Sequence, residues 1–285
     1  MTDSYWLMFI NSTIGSENPG MIFTLFFLFL ARILPIIALS PFFGARILPH
    51  PVKMAFAVSL FAIFLPLLTS VTTTQLTFSI LSLAYFTKEL FVGYLLGFLI
   101  SMPFNIVQSA GIFVDHQRGG ASLMVNDPTI QNQSSPLGTL FNMVLIFIFF
   151  IIDGPFLFIQ AIVDSYEVVP PDKFINPYFF ERTSSFWGVA IELLNTSMKI
   201  AVQLASPALI AILMTDVFLG IANRLAPQVQ VTFLGLPLKS LLGLTVICLG
   251  WKVLTAQMAT ESFTWLHAIE EVILMFKPSA PTPAP

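Results

Sequence analysis

The sequence predicts an all-α membrane protein of about six long apolar helices, kinked or broken at internal prolines. Three observations carry this. Of 285 residues, 56% are hydrophobic and only 9% are charged, against about 25% charged in an ordinary soluble domain. Twelve basic and 15 acidic side chains cannot clothe a soluble protein of this length. Six apolar runs each reach the roughly 20 residues needed to cross about 30 Å of hydrocarbon. Proline falls well inside five of those runs and near the start of the sixth.

Taken in order, the first run is Met21–Phe43, which holds Arg32 and Pro35. Val52–Val71 follows, with Pro66, and then Glu89–Val114, with Pro103 and the small-xxx-small pattern Gly93-Tyr-Leu-Leu-Gly97 that lets helix backbones approach closely. Ser135-Pro136 opens the fourth run, Leu137–Val163, as an N-cap with proline at the first helical position. Asp153-Gly154-Pro155 interrupts that run. Phe186–Leu225 is too long for one straight span, and Pro207 lies within it; Phe233–Met258 is the sixth run, with Pro237 near its start. Each internal proline removes a backbone hydrogen bond and crowds the preceding turn, so a kink or break is expected at each. Beyond the sixth run, Phe263, Leu266, Ile269, Val272 or Ile273 and Phe276 recur at helical steps, fit either for the membrane interface or for packing on the chain itself. Residues 278–285 read as a proline-rich disordered tail. The polar stretches between runs are 44–51, 72–88, 115–136, 164–185 and 226–232.

Charged residues inside the apolar runs are Arg32, Asp153, Glu192, Lys199 and Asp216. Each would cost about 2.5–3.5 kcal/mol at mid-bilayer, so each should face a partner or a wet cavity. A proton or ion pathway is one reading; structural pairing between helices or subunits is the other and the preferred one. Glu192 and Lys199, seven apart, share one helix face.

Several function classes fall away. The 12 basic residues are scattered singly, which gives no footprint for nucleic acid and no polybasic patch for lipid. His50, His116 and His267 form no His-Glu-x-x-His zinc motif, and Gly119-Gly120 is followed by Ala121-Ser122 rather than by the Lys-Ser of a phosphate loop. No nucleophile elbow is present. The chain therefore reads as no enzyme, with no cofactor and no metal site.

Two polar stretches are distinctive. The first runs from Gly111 through Asp115-His-Gln117-Arg118-Gly119 to Asn126-Asp127-Pro128, and places Asp115 and Arg118 at i, i+3, where they can pair on a helix. The second is Ala226-Pro227-Gln228 followed by Gly235-Leu-Pro237-Leu-Lys239, a proline-flanked connection between the last two long runs. With Arg32-Ile-Leu-Pro35, Ser40-Pro41-Phe42-Phe43-Gly44 and Asp153-Gly154, and in this order, they resemble the T subunit of the type III secretion export apparatus, the SctT family of injectisomes and FliR family of flagella. Gln117-Arg118-Gly119 favours the injectisome branch. Gln230 stands where the family often has asparagine, and His116 replaces a commoner asparagine.

The resemblance implies a multi-pass subunit of the bacterial inner (cytoplasmic) membrane, within the secretion basal body. Its helices would form bent hairpins, with an SctR-like portion at about 1–185 joined to an SctS-like portion at about 186–277 in a single domain. Implied partners are SctR-type and SctS-type subunits, with SctU-type and SctV-type subunits beside them, the lipid bilayer and exported unfolded proteins. Asp115, Gln117, Arg118, Gly119, Asp127, Pro128, Pro227, Gln228, Gly235 and Pro237 would be the structural or gating positions. The alternative is a self-contained secondary transporter with Arg32, Asp153, Glu192 and Asp216 along an intramembrane polar pathway.

Overall fold

The computed structural model describes residues 19–43, 49–74, 76, 79–119, 125–126, 133–175, 185–226 and 231–276. Among them the fold is all-α except for one two-residue strand pair. Helix α1 is Pro19–Leu39, followed by a 3-10 turn at Pro41–Phe43; α2 is His50–Val71 and α3 is Ile80–Gln117. Strands β1 (Val125–Asn126) and β2 (Gln133–Ser134) pair antiparallel, Val125 opposite Ser134. Then come α4 (Pro136–Ile151), α5 (Gly154–Val168), α6 (Ser185–Leu225), α7 (Val231–Leu249) and α8 (Trp251–Met275). Four helices are long and apolar enough to cross a membrane, or up to six spans if α4 with α5, and α7 with α8, each count as one broken span.

Of the two outcomes expected at each proline, a kink or a break, the break is absent at five. Helical structure continues through Pro35, Pro66, Pro103, Pro207 and Pro237. At Pro207 the reason is visible: the acceptor freed by the missing N–H is the Gln203 carbonyl, and the Ser206 hydroxyl donates to it at 2.8 Å. The breaks fall elsewhere. Asp153 has φ 59, the left-handed region, and ends α4; Pro155 then sits in the first turn of α5, where its lost N–H costs nothing. At Gly250 the sixth run bends by 66° between Gly235–Leu249 and Trp251–Ser262.

Boundaries also shift. Helix α3 begins at Ile80, nine residues before the predicted run, and α5 continues to Val168 into the stretch read as a polar loop. The second polar connection is shorter than expected: α7 starts at Val231, so Gly235, Pro237 and Lys239 lie in its first turns. The strand pair has no counterpart in the sequence reading. At the end of α8, Ile269, Val272, Ile273 and Phe276 are buried, which favours packing on the chain over a membrane-surface role. The tail at 278–285 lies outside the described residues.

Two compact units interleave along the chain. One takes residues up to Ser101, Gly154–Ala190 and the chain from Leu266; the other takes Met102–Asp153 and Ile191–Trp265. In the first, α1 packs on α2 and α2 on α5. Phe29 lies against Phe64 and stacks on Tyr166, with ring centroids 5.7 and 6.0 Å apart, and Phe61 meets Phe26 edge-on at 5.1 Å. Aromatic rings offset or edge-on contribute beyond their buried area, so four Phe and one Tyr make this a rigid seam. In the second unit Phe104 packs edge-on against Phe149, Phe141 lies by Trp251, and Gly243 sits within reach of Ile212.

Candidate functional site

The first unit buries a charged network. Arg32 on α1 is fully buried, as is Glu89 on α3. The Arg32 Nε donates to Glu89 Oε2 and Nη2 to Oε1 at 2.9 Å, a two-point pair. Its remaining donors reach the end of α5: Nη1 to the Ser165 carbonyl at 2.9 Å and to the Ser165 hydroxyl at 3.2 Å, and Nη2 to the Val169 carbonyl at 2.7 Å. The guanidinium also lies 4.0 Å over the Tyr166 ring. Lys88 pairs with the same Glu89 and donates to the carbonyls of Pro170, Pro171 and Lys173 at 2.8, 3.2 and 3.1 Å. Two cations thus share one carboxylate and gather five backbone carbonyls at the α5 C-terminus and its following turn; those of Ser165 and Pro170 also accept from the Val169 and Lys173 N–H groups.

The same turn is tied from its other side. Asp172 Oδ2 accepts from the N–H and hydroxyl of Thr73, at 2.9 and 2.8 Å, and from those of Thr74, at 3.0 and 3.2 Å. Burial pushes the Asp172 carboxyl up, but these four hydrogen bonds outweigh it and hold the group below its ordinary value. Close backbone approach makes the network possible. Gly93 and Gly97 both face α1, Gly93 against the Arg32 backbone and Gly97 against Pro35 and Ile36. Glu89, Gly93 and Gly97 recur every fourth residue, so one face of α3 supplies both the room and the carboxylate.

The second unit holds the first polar connection. Asp115 near the end of α3 receives Arg118, Nε at 2.8 Å and Nη2 at 2.6 Å. Its other oxygen accepts from the Ser135 hydroxyl and from the Leu137 N–H at 3.0 Å, while Ser135 Oγ caps α4 by accepting from Gly138 N–H at 2.9 Å. One carboxylate therefore neutralises a buried arginine and sits at a helix N-terminus, where anions are favoured. Gly111 and Gly138 meet backbone to backbone, which brings the two helix ends together. Gly119, at φ 87, turns the chain out of α3, and a Cβ there would strike Leu236.

The predicted positions therefore divide. Asp115, Arg118 and Gly119 form one clasp; Gln117 is half-buried and makes no side-chain hydrogen bond among the described residues. Gly235 is buried near Leu219, and Pro237 is exposed. Asp127, Pro128, Pro227 and Gln228 lie outside the described residues. Asp216 pairs with Lys239, so Arg32 and Asp216 are each neutralised by a separate partner. Asp153 is exposed at the helix break, where its backbone conformation matters. Glu192 and Lys199 are exposed on α6.

The family described as bacterial export proteins, family 1, matches this chain over residues 23–264. The chain belongs to that family. Every residue of the two buried networks lies within the matched stretch. Among curated relatives, the Salmonella typhimurium secretion system apparatus protein SsaT is 29% identical over 62% of this chain and 66% of its own length. The Yersinia pestis Yop proteins translocation protein T is 36% identical over 54% and 57% respectively. The Escherichia coli flagellar biosynthetic protein FliR is 25% identical over 87% of each. The chain thus spans about three-fifths of the length of the injectisome relatives that it matches and most of the flagellar one. With its several apolar helices, this export-family chain is a multi-pass protein of the inner membrane.

Sequence reasoning missed Glu89 and Lys88. Both stood at the edge of an apolar run and read as its boundary, yet α3 begins a turn and more earlier. The usable signal was the four-residue step from Glu89 through Gly93 to Gly97.

Proposed function

We propose that this protein is the T-type subunit of a type III secretion export gate, on the injectisome branch. It joins SctR-type and SctS-type subunits, beside SctU-type and SctV-type ones, around a path through which unfolded proteins leave across the inner membrane. The family match over residues 23–264, which contains both polar connections, is the observation that supports this reading most. An R-like portion at about 1–185 and an S-like portion at about 186–277 fit the same proposal. Packed apolar side chains keep the path shut to water and ions until substrate or a partner shifts the equilibrium. The reading assigns the chain no catalytic step, and energy comes from other components.

Within it, Asp115, Gln117, Arg118, Gly119, Asp127, Pro128, Pro227, Gln228, Gly235 and Pro237 hold interhelical turns and subunit contacts. Purification in mild detergent tests the proposal: the wild type should be recovered with R- and S-type subunits. Arg118→Ala leaves Asp115 buried without its cation, and Gly119→Leu forces a side chain onto Leu236; each should lower protein secretion at least about tenfold, since a lost buried partner costs about 3–5 kcal/mol. Recovery as a monomer or homodimer that moves a small solute in liposomes would favour a self-contained transporter instead.

A further inference from the structure

Helix α6 is the least covered of the long helices, and α3 the most. Its early turns carry two parallel exposed stripes. Ile191, Leu194, Met198 and Val202 form the apolar one, each about half exposed. Glu192, Asn195, Lys199 and Gln203, also exposed, form a polar one at steps of three, four and four. At 100° per residue the stripes lie about 100° apart round the helix axis. Glu192 and Lys199 form no ion pair among the described residues, being two turns apart on one helix.

Neither bulk medium suits this face. Hydrocarbon leaves a carboxylate and an ammonium unpaired, which is costly. Water leaves Trp187, Ile191, Leu194 and Met198 exposed side by side. A neighbouring helix satisfies both, with an apolar seam in the middle and charges along its flank, as in coiled-coil pairing. We propose that this face seats a helix of a neighbouring subunit that carries a cation level with Glu192 and a carboxylate level with Lys199, two turns apart. The inference rests on the export-gate reading and deepens it, by naming the charge pattern that the partner must present.

The test is recovery of R- and S-type subunits with the detergent-extracted complex. Glu192→Lys and Lys199→Glu should each lower that recovery at least fivefold, because each sets like charges together in a desolvated seam. A second measurement uses Lys199→Cys in a Cys248→Ser background, with a membrane-impermeant maleimide as probe. The thiol should react on the isolated protein in detergent and be protected in the assembled complex. Labelling at equal rates in both would mean a wet face, and would overturn the inference. Protection combined with harmless charge reversals would mean a seam that presents no such charge pattern, and would overturn it too. If the wild type itself recovers neither subunit type, the export-gate reading falls and takes this inference with it. If the wild type recovers them and both reversals do as well, the inference alone falls.

Discussion

At the scale of single residues, Glu89 is the carboxylate that two buried cations share in the first unit. Removing its charge leaves Arg32 and Lys88, both buried, with no carboxylate between them. Glu89→Gln should therefore destabilise by about 3–5 kcal/mol, read as a lowered thermal midpoint of the detergent-purified protein. Replacing both partners with apolar residues, Arg32→Met with Glu89→Met, should not restore it. Arg32 also satisfies the Val169 carbonyl, and a buried acceptor left open is itself costly. Asp172 gives a pH signature. Its carboxyl titrates lower in the folded than in the unfolded chain, so its stabilisation is full above the ordinary carboxylate value near 4. It is lost as pH falls through the lower folded value. Thermal midpoints measured from pH 6 downward should fall less steeply below pH 4 in Asp172→Asn than in the wild type; equal slopes would remove Asp172 from that account.

Among the elements, those announced by local chemistry were legible and those decided by packing were not. The Ser135-Pro136 cap, the Asp115–Arg118 spacing and the Asp153-Gly154-Pro155 interruption can each be read from a few adjacent residues, because capping, i, i+3 pairing and left-handed backbone are local properties. Which prolines end a helix was not legible, for the opposite reason. Whether a proline breaks a helix depends on what replaces its lost bond, such as the Ser206 hydroxyl beside Pro207, and on the packing that surrounds it. The Gly250 bend and the Glu89 pairing needed a third dimension. Asp153 offers the test at this scale. Its φ of 59 suits glycine or asparagine, so Asp153→Gly should leave stability within about 0.5 kcal/mol, whereas Asp153→Val should cost about 1–2 kcal/mol. If valine were harmless, the break between α4 and α5 would not depend on this residue's backbone, and Pro155 would have to be its cause.

For the whole molecule, the question is what covers the apolar surface, since composition alone is satisfied equally by lipid and by protein. Exposed on α6 are Ile210, Leu213, Met214, Val217, Phe218, Ile221 and Leu225, and on α7 Leu241 and Leu249. Gly220 stands in the middle of that α6 surface, and a Cβ built on it meets nothing within 4 Å. Within an exposed helix interior, glycine is disfavoured by about 1 kcal/mol relative to alanine. For the isolated chain, Gly220→Leu should consequently raise stability by about 0.5–1 kcal/mol and do no steric harm. Lipid would accept the added side chain, because hydrocarbon reshapes around it. A packed protein neighbour would not, because a close-packed seam has no room for four more carbons. The export-gate reading thus requires opposite signs from one substitution: a higher thermal midpoint for the purified subunit, and a several-fold loss of R- and S-type subunits in the purified complex. Should both measurements improve, α6 faces lipid at this point, and the obligate assembly that the composition suggests must be made through other surfaces.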